Sequence, residues 1–180
     1  MSPSEHVRLM ASYNAWMNTK LYQAAGKLSA EELSRDRGAF FRSIIGTLNH
    51  ILVGDTLWLK RFAKHPASYP ELQVVSDLPH PVSLDEILFT DLGDLTRRRE
   101  LLDGAITNWA NAVTDVDLQH VLHYANSKGV VADKRCYGLV MHFFNHQTHH
   151  RGQATTLLSQ AGVDVGVTDL LMLIPNQEIA

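Results

Sequence analysis

The sequence predicts an all-α protein built as an up-down four-helix bundle, with a long crossover loop and a small β-hairpin before the last long helix. Three observations favour this class. Four segments place apolar residues three and four positions apart, start and stop signals separate these segments, and one proline-punctuated connection interrupts them at residues 64–82. Of the 180 residues, 45% are hydrophobic, enough for one core, so we expect a single domain over residues 1–180.

The first two long helices have clear boundaries. The first is predicted over residues 4–25 and ends at Gly26, a residue typical of helix C-termini. Its predicted inward side consists of Leu9, Tyr13, Trp16, Met17, Leu21 and Ala24. Residues 29–32 form a capping box that opens only a short turn. The second long helix begins near Phe41 or Ser43 and ends before the prolines of the 64–82 connection, which we expect to be either mobile or functional.

The second half of the chain contains the two remaining long helices. A capping box at residues 83–86 predicts that the third begins at Leu84, and its apolar spacing continues to Val113. Residues 120–135 predict a hairpin around a Ser-Lys-Gly turn at 127–129. The fourth helix is predicted from Cys136 to Ala161, closed by Gly162. The tail, residues 167–175, should form a capped turn that packs its leucines on the bundle or on a partner subunit.

Charge and cysteine content narrow the class of protein. Sixteen Lys and Arg against nineteen Asp and Glu give a net charge of -3 with mixed signs, which argues against nucleic-acid and membrane-surface binding. We interpret the basic run 97–99 as a solvated helix face. The lone Cys136 excludes an intramolecular disulfide, and it is typical of a small buried hydrophobe more than of a nucleophile. With no secretory signal and no apolar run of membrane-spanning length, we expect a soluble, cytoplasmic protein.

Histidines concentrate in the fourth helix, where residues 145–153 read NHQTHHRGQ. Its predicted inward stripe places His146 and His150 in the middle, at i and i+4, with His142 and His149 on the flank. Imidazoles bonded to other side chains are one interpretation. Each unpaired polar group in an apolar layer costs roughly 1–3 kcal/mol, however. A divalent cation that takes one nitrogen from each ring removes this cost.

A third ligand is required, and the second helix offers His50. It belongs to a stripe at helical spacing: Ser43, Thr47, His50, Gly54, Trp58 and Arg61. The threonine and glycine leave free volume around the ring, as in a pocket lining. The alternative is a polar outer face, which Trp58 disfavours because a tryptophan is unusual on a solvated side.

The sequence lacks the motifs of several well-known catalytic and nucleotide-binding sites. The sequence contains no Glu-x-x-His, no zincin motif, no nucleophile elbow, no P-loop and no Rossmann glycine pattern. Three neutral nitrogens leave a coordination position for water or substrate, where the metal can lower the pKa of water or a thiol or polarise a carbonyl. Zn, Ni, Fe or Mn would each suit this donor set.

These residues resemble the DinB-like (DinB/YfiT) superfamily of metal-dependent helical-bundle proteins. The resemblance covers nearly the whole chain, and GTLNHILVGD and HFFNHQTHHRGQATTLL are its most specific parts, beside YNAWMNTKLY and YANSKG. In this family one histidine from the second helix and an i, i+4 pair on the last long helix bind a divalent metal. That pattern falls on His50, His146 and His150.

The resemblance implies several functions, because similar proteins include thiol S-transferases that use bacillithiol, mycothiol or glutathione, and a mycothiol-dependent maleylpyruvate isomerase. We expect a metal-dependent enzyme, S-transferase-like or hydrolytic, that acts on an unidentified small molecule, with a low-molecular-weight thiol as cofactor if it is a transferase. The alternative is a non-catalytic, metal-stabilised dimeric binding or stress-response module. A fourth protein ligand, His142 or His149, would favour this alternative. The apolar tail and the family's habit predict a homodimer.

The sequence identifies no catalytic residue, but it suggests roles for several other polar residues. Candidates to orient the ligand rings are Asn49, Asp55, Asn145 and Gln147. Arg151 is expected in a helix-surface salt bridge more than at a cofactor carboxylate. Five histidines are expected on the surface or in loops, two of them (His120 and His123) near a pocket mouth; the full set is His6, His65, His80, His120 and His123.

Overall fold

The computed structural model describes residues 1–126 and 128–176. This part of the chain is mostly helical, with one small antiparallel sheet. The helices are α1 (Pro3–Ala25), α2 (Ala30–Ser34), α3 (Ile44–Phe62), α4 (Gln73–Ser76), α5 (Leu92–Ala112), α6 (Asp115–Gln119) and α7 (Cys136–Gln160). The strands are β1 (Val121–Ala125) and β2 (Val131–Arg135), and 3₁₀ turns occur at Pro70–Leu72 and Leu170–Leu173.

Side-chain caps fix most of the predicted helix starts. Ser2 and Glu5 form a capping box at α1, while the Ser29 and Ser43 hydroxyls accept backbone N–H bonds at α2 and α3. At the other end of the chain, Gly162 has a φ of 80°, a conformation that favours glycine, just after α7 ends. The predicted boundaries of α1, α2, α3 and α7 are therefore confirmed to within a few residues.

The predicted start of the third long helix is wrong. α5 begins at Leu92 with Asp91 as its N-cap, so the capping box at 83–86 does not open a helix. The backbone of this segment bonds to α3 instead. The Leu84 carbonyl lies 2.7 Å from His50 Nδ1, and the Asn49 amide bonds both the N–H and the C=O of Phe89, at 2.9 and 2.8 Å. Because these partners satisfy the backbone, residues 83–91 stay non-helical and the connection extends to residue 91.

The four long helices pack around a common apolar core. α1 contacts α5 and α7, and α3 contacts the same two helices. Phe62 and Trp109 stack at the centre with ring centroids 5.0 Å apart, and Phe143 meets Phe62 edge-on at 5.7 Å. The mostly helical class is thereby confirmed, and the up-down order of a four-helix bundle stays a prediction. Among the described residues, none of the helices combines the length and the apolar character that a membrane span requires.

The predicted hairpin is present. β1 and β2 pair antiparallel in a register that sets Val121 opposite Arg135 and Ala125 opposite Val131. Of the predicted Ser-Lys-Gly turn, Ser127 lies outside the described residues. The tail forms a 3₁₀ turn that contacts α1, but the predicted cap and leucine packing are not met, since no side chain caps this turn and Leu171 is 73% exposed.

Two arginines that the sequence placed on helix surfaces are buried. Arg99 is 2% exposed and pairs with Asp55 and Asp103. Arg151, also 2% exposed, donates to Asn14. Both surface assignments are therefore wrong, because polar partners from other helices lie inside the protein and pair with the charge.

His65 and Cys136 are both buried. His65, expected on the surface, is 6% exposed and bonds backbone atoms on both ring nitrogens. Cys136 is buried as predicted, and burial raises the pKa of its thiol to about 12. A thiol with that pKa stays protonated near neutral pH and is a poor nucleophile.

Candidate metal centre

α3 and α7 bring the three predicted histidines together. The Nε2 atom of His50 lies 3.2 Å from His146 Nε2 and 3.1 Å from His150 Nε2. One nitrogen from each ring falls within a group whose atoms are all 4.8 Å or less apart. His50 is buried, and the other two rings are partly buried. These three side chains could hold a metal ion.

The sequence predicted that His146 and His150 lie in the middle of the buried stripe of α7. This prediction is wrong. The middle belongs to Gln147 and Arg151, at 0% and 2% exposure, with Phe143 and Phe144 one turn before. His146 and His150 lie one position round, at the edge of the stripe that faces α3. Arg151 donates to Asn14 inside the protein, whereas His146 and His150 face His50 on α3.

Gly54 makes room for His146. It lies one turn after His50 on α3, and a Cβ built on it would stand 2.7 Å from His146 Cε1. No side chain fits there while the ring keeps its place. Thr47 and His50, on the same stripe, are 1% and 5% exposed. The alternative of a polar outer face is therefore wrong, and this stripe faces the histidine cluster.

Hydrogen bonds on the far ring nitrogens determine which nitrogens face the cluster unprotonated. His50 Nδ1 lies 2.7 Å from the Leu84 carbonyl, which only accepts, so Nδ1 carries the proton. His150 Nδ1 lies 2.7 Å from Gln153 Oε1, and the same assignment follows. The two Nε2 atoms then present lone pairs to each other at 3.1 Å with no proton between them. A cation at this point satisfies both, so the donor set fits a metal.

Burial keeps the cluster neutral. It lowers the pKa of His50 and of His150, and it lowers the pKa of His146 to about 3, with the neighbouring histidines adding to the shift. All three rings are therefore uncharged near neutral pH, which is the form that binds metals. The group contains no carboxylate. The buried Nδ1 of His146 has no hydrogen-bond partner among the described residues, so neither nitrogen of this ring is committed elsewhere.

Phe41 covers one side of the cluster, a role that the sequence did not indicate. Its ring stacks on His50 at 3.8 Å and meets His150 edge-on at 5.5 Å. The loop that carries it lies close to α3, since a Cβ on Gly46 would clash with the Phe41 carbonyl oxygen. Arg42, the next residue, adopts a φ of 66°. Phe41 therefore shields the rings from water on this side.

The residues that orient the rings differ from the predicted ones. Asn49 bonds Phe89 and the backbone of its own helix, Asp55 pairs with Arg99, and Asn145 is exposed. Gln147, the fourth candidate, is buried without a bond to a ligand ring. The actual partners are Gln153 and the Leu84 carbonyl. Spacing could have indicated Gln153, because i and i+3 share a helix face.

The flanking histidines do not join the group. His142 packs edge-on against Trp58 at 5.1 Å, and its centroid lies 6.1 Å from that of His146. His149 meets His150 edge-on, and its Nε2 lies 3.3 Å from Gln153 Nε2. Within residues 1–126 and 128–176, the metal-capable group consists of three histidines.

A family model and a known bacterial protein both match this chain. A family model described as "DinB family" matches residues 1–178. A protein named "Protein DinB" from Bacillus subtilis (strain 168) is 27% identical over 157 residues, a span that covers 87% of this chain and 87% of that protein. No solved structure matches the chain.

Proposed function

Because this chain belongs to the DinB family, we propose that its histidine cluster is a divalent-metal site with His50, His146 and His150 as ligands. One observation carries the proposal: two ring nitrogens that hydrogen bonding leaves unprotonated face each other at 3.1 Å, with a third ring beside them. A closed four-ligand shell is typical of structural sites, whereas three ligands leave room for water or substrate. Zn, Ni, Fe or Mn would suit the imidazole donors.

We further propose that the protein is a metal-dependent enzyme, S-transferase-like or hydrolytic, that acts on a small molecule. When bound, the cation would supply Lewis acidity, lowering the pKa of a thiol or water or polarising a carbonyl. Neutral ligands leave its full charge available for this. The chain's own contribution is positional: the Leu84 carbonyl and Gln153 orient two rings, and Phe41 excludes water from one side. A low-molecular-weight thiol would serve as cofactor in the transferase case.

Elemental analysis of the purified protein tests the metal site. We expect about one equivalent of a divalent metal in the wild type and a strong loss in His146→Ala. His120→Ala is the matched control, since it removes an exposed imidazole that lies outside the cluster and should keep the metal. Equal metal content in all three proteins would show that the cluster is not the site.

A second assay separates the enzyme from the non-catalytic dimeric module. Thiol transfer to a chloro-dinitrobenzene acceptor should depend on the metal, and it should fall to the uncatalysed rate in the metal-stripped protein. If the loaded protein shows no transfer and no hydrolysis of activated esters, while metal removal dissociates a dimer, the non-catalytic module is the better account.

A further inference from the structure

A cavity of about 600 Å³ lies along α3 beyond the histidine cluster. Its walls are the C-terminal half of α3, part of the crossover before α5, and the end of β1. Leu84 lines it and also offers its carbonyl to His50 Nδ1, so the cavity and the cluster share one residue. This volume is in the range that holds small organic ligands.

The charged side chains that line this cavity are all basic. Three cationic residues at the end of α3 and just after it line the cavity, Lys60, Arg61 and Lys64, together with His80 and His123. Among the described residues that line it, none is Asp or Glu. Lys60 already donates to the Ser76 and Leu78 carbonyls, at 2.7 and 2.6 Å, so it anchors the crossover. Arg61 and Lys64 are the cations that remain for a ligand.

Arg61 is held in place without a carboxylate. Its guanidinium lies 4.6 Å above the Trp58 ring and 5.5 Å from the Tyr124 ring, and in the described part of the chain it makes no salt bridge. Burial lowers the pKa of this group, since its charge is partly desolvated. Cation–π contacts fix the guanidinium plane and leave its N–H groups free, an arrangement suited to bidentate recognition of an anion.

The two histidines that line the cavity, His80 and His123, each use one ring nitrogen in a hydrogen bond. His123 bonds the exposed Asp133 at 2.7 Å and His80 bonds the Pro81 carbonyl at 3.0 Å, so each ring has one nitrogen left. The expectation that His123 lies at a pocket mouth agrees with its place on this wall. His120 does not line the cavity and packs against His65 with ring centroids 4.8 Å apart.

We propose that this cavity binds a small organic anion, whose carboxylate or phosphate contacts Arg61 and Lys64 and whose apolar body packs on Leu57 and Tyr124. The inference deepens the proposed function by naming the substrate or cofactor class, and it rests on that function for the link to the metal. The anion-binding step itself requires only the cavity.

Calorimetric titration of the full chain tests the inference with three probes: 1-naphthyl phosphate, 1-naphthoate and 1-naphthol. Metal-stripped protein is used so that phosphate cannot bind the metal, and the metal content of each preparation is measured before the metal is removed. At least one charged probe should bind ten times more tightly than the neutral naphthol, and its binding should weaken with added salt. Preference between the two charged probes distinguishes a phosphate ester from a carboxylic acid as the natural ligand.

Variants locate the binding. Arg61→Gln should weaken the charged probe about 10- to 100-fold, as expected for a lost hydrogen bond between charged groups. Arg97→Gln is the matched control, because it removes the same charge from an exposed position of α5 and should change nothing. Lys64→Gln should give a smaller loss. It also carries the test if Arg61→Gln loses its helical circular dichroism.

Three results would overturn the inference. They are equal binding of naphthol and the charged probes, wild-type affinity in both Arg61→Gln and Lys64→Gln, and an equal loss in Arg97→Gln. Metal content distinguishes this failure from that of the proposed function, since a protein that holds its metal and binds no anion refutes only the cavity.

Discussion

Replacing Gly54 by alanine should remove His146 from the metal site while leaving the fold intact. The new Cβ would stand 2.7 Å from His146 Cε1, whereas carbon atoms in contact sit about 3.5–4.0 Å apart, so the ring must move by roughly 1 Å. The ring belongs to a partly exposed side chain and can move. Metal–ligand distances tolerate only about 0.2 Å, and therefore the shifted ring no longer binds.

The expected loss of metal affinity can be estimated from substitutions that leave the ligand itself in place. Mutating a partner that merely orients a ligand costs about 10- to 100-fold in metal affinity, so displacing the ligand itself should cost at least 100-fold. Stability should move the other way or not at all, because alanine is favoured over glycine in a helix interior by about 1 kcal/mol. Competition with a chromophoric chelator gives the affinity, and urea unfolding of metal-stripped protein gives the free energy of unfolding.

Gly104→Ala is the control for this experiment. Its added Cβ meets no atom within 4 Å, so it should give the same gain in helix propensity and keep wild-type metal affinity. A Gly54→Ala protein that binds metal as tightly as Gly104→Ala does would show that His146 is not a ligand.

Three further predictions concern a bond that orients a ligand ring, a buried ion pair and the buried cysteine. Gln153→Leu removes the acceptor of His150 Nδ1 and should weaken metal binding about tenfold in the chelator assay; unchanged affinity would mean that this bond does not orient the ring. Asp55→Ala leaves the buried Arg99 without its shortest ion-pair contact and should cost about 3–5 kcal/mol in urea unfolding, whereas a loss below 1 kcal/mol would show that Asp103 suffices. Because burial raises the pKa of Cys136 from 9.0 to about 12, the folded state keeps a proton that the unfolded state releases, and this contribution to stability should be lost as the pH rises from 9 to 12. Cys136→Ala should lose less over that range, and labelling of native wild type by a thiol reagent at pH 8 should be slow.

Local periodicity was sufficient to find the helices and the three histidines. The apolar spacing of α3 and α7 is a property of each segment alone, and an i, i+4 histidine pair must share a helix face. His50 was found because a threonine and a glycine lie one turn on either side of it. Each of these signals lies within about ten residues of sequence.

The start of α5 was not predictable in the same way. The capping box at 83–86 is a genuine local signal, but His50 and Asn49, 34 and 40 residues away, bond the backbone that a helix would use. The burial of Arg99 and Arg151 has a similar origin, since their partners Asp55 and Asn14 belong to other helices. Sequence spacing carries no information about such distant partners.

The bond between His50 and the Leu84 carbonyl joins a ligand ring to the wall of the neighbouring cavity. Anything that pulls Leu84 away alters how readily the opposite nitrogen of that ring donates its electrons. Thermodynamic reciprocity then applies. If a ligand in the cavity raises the affinity for the ion by some factor, the ion raises the affinity for that ligand by the same factor. The Leu84 carbonyl is therefore the atom through which the proposed metal site and the proposed anion site would be coupled.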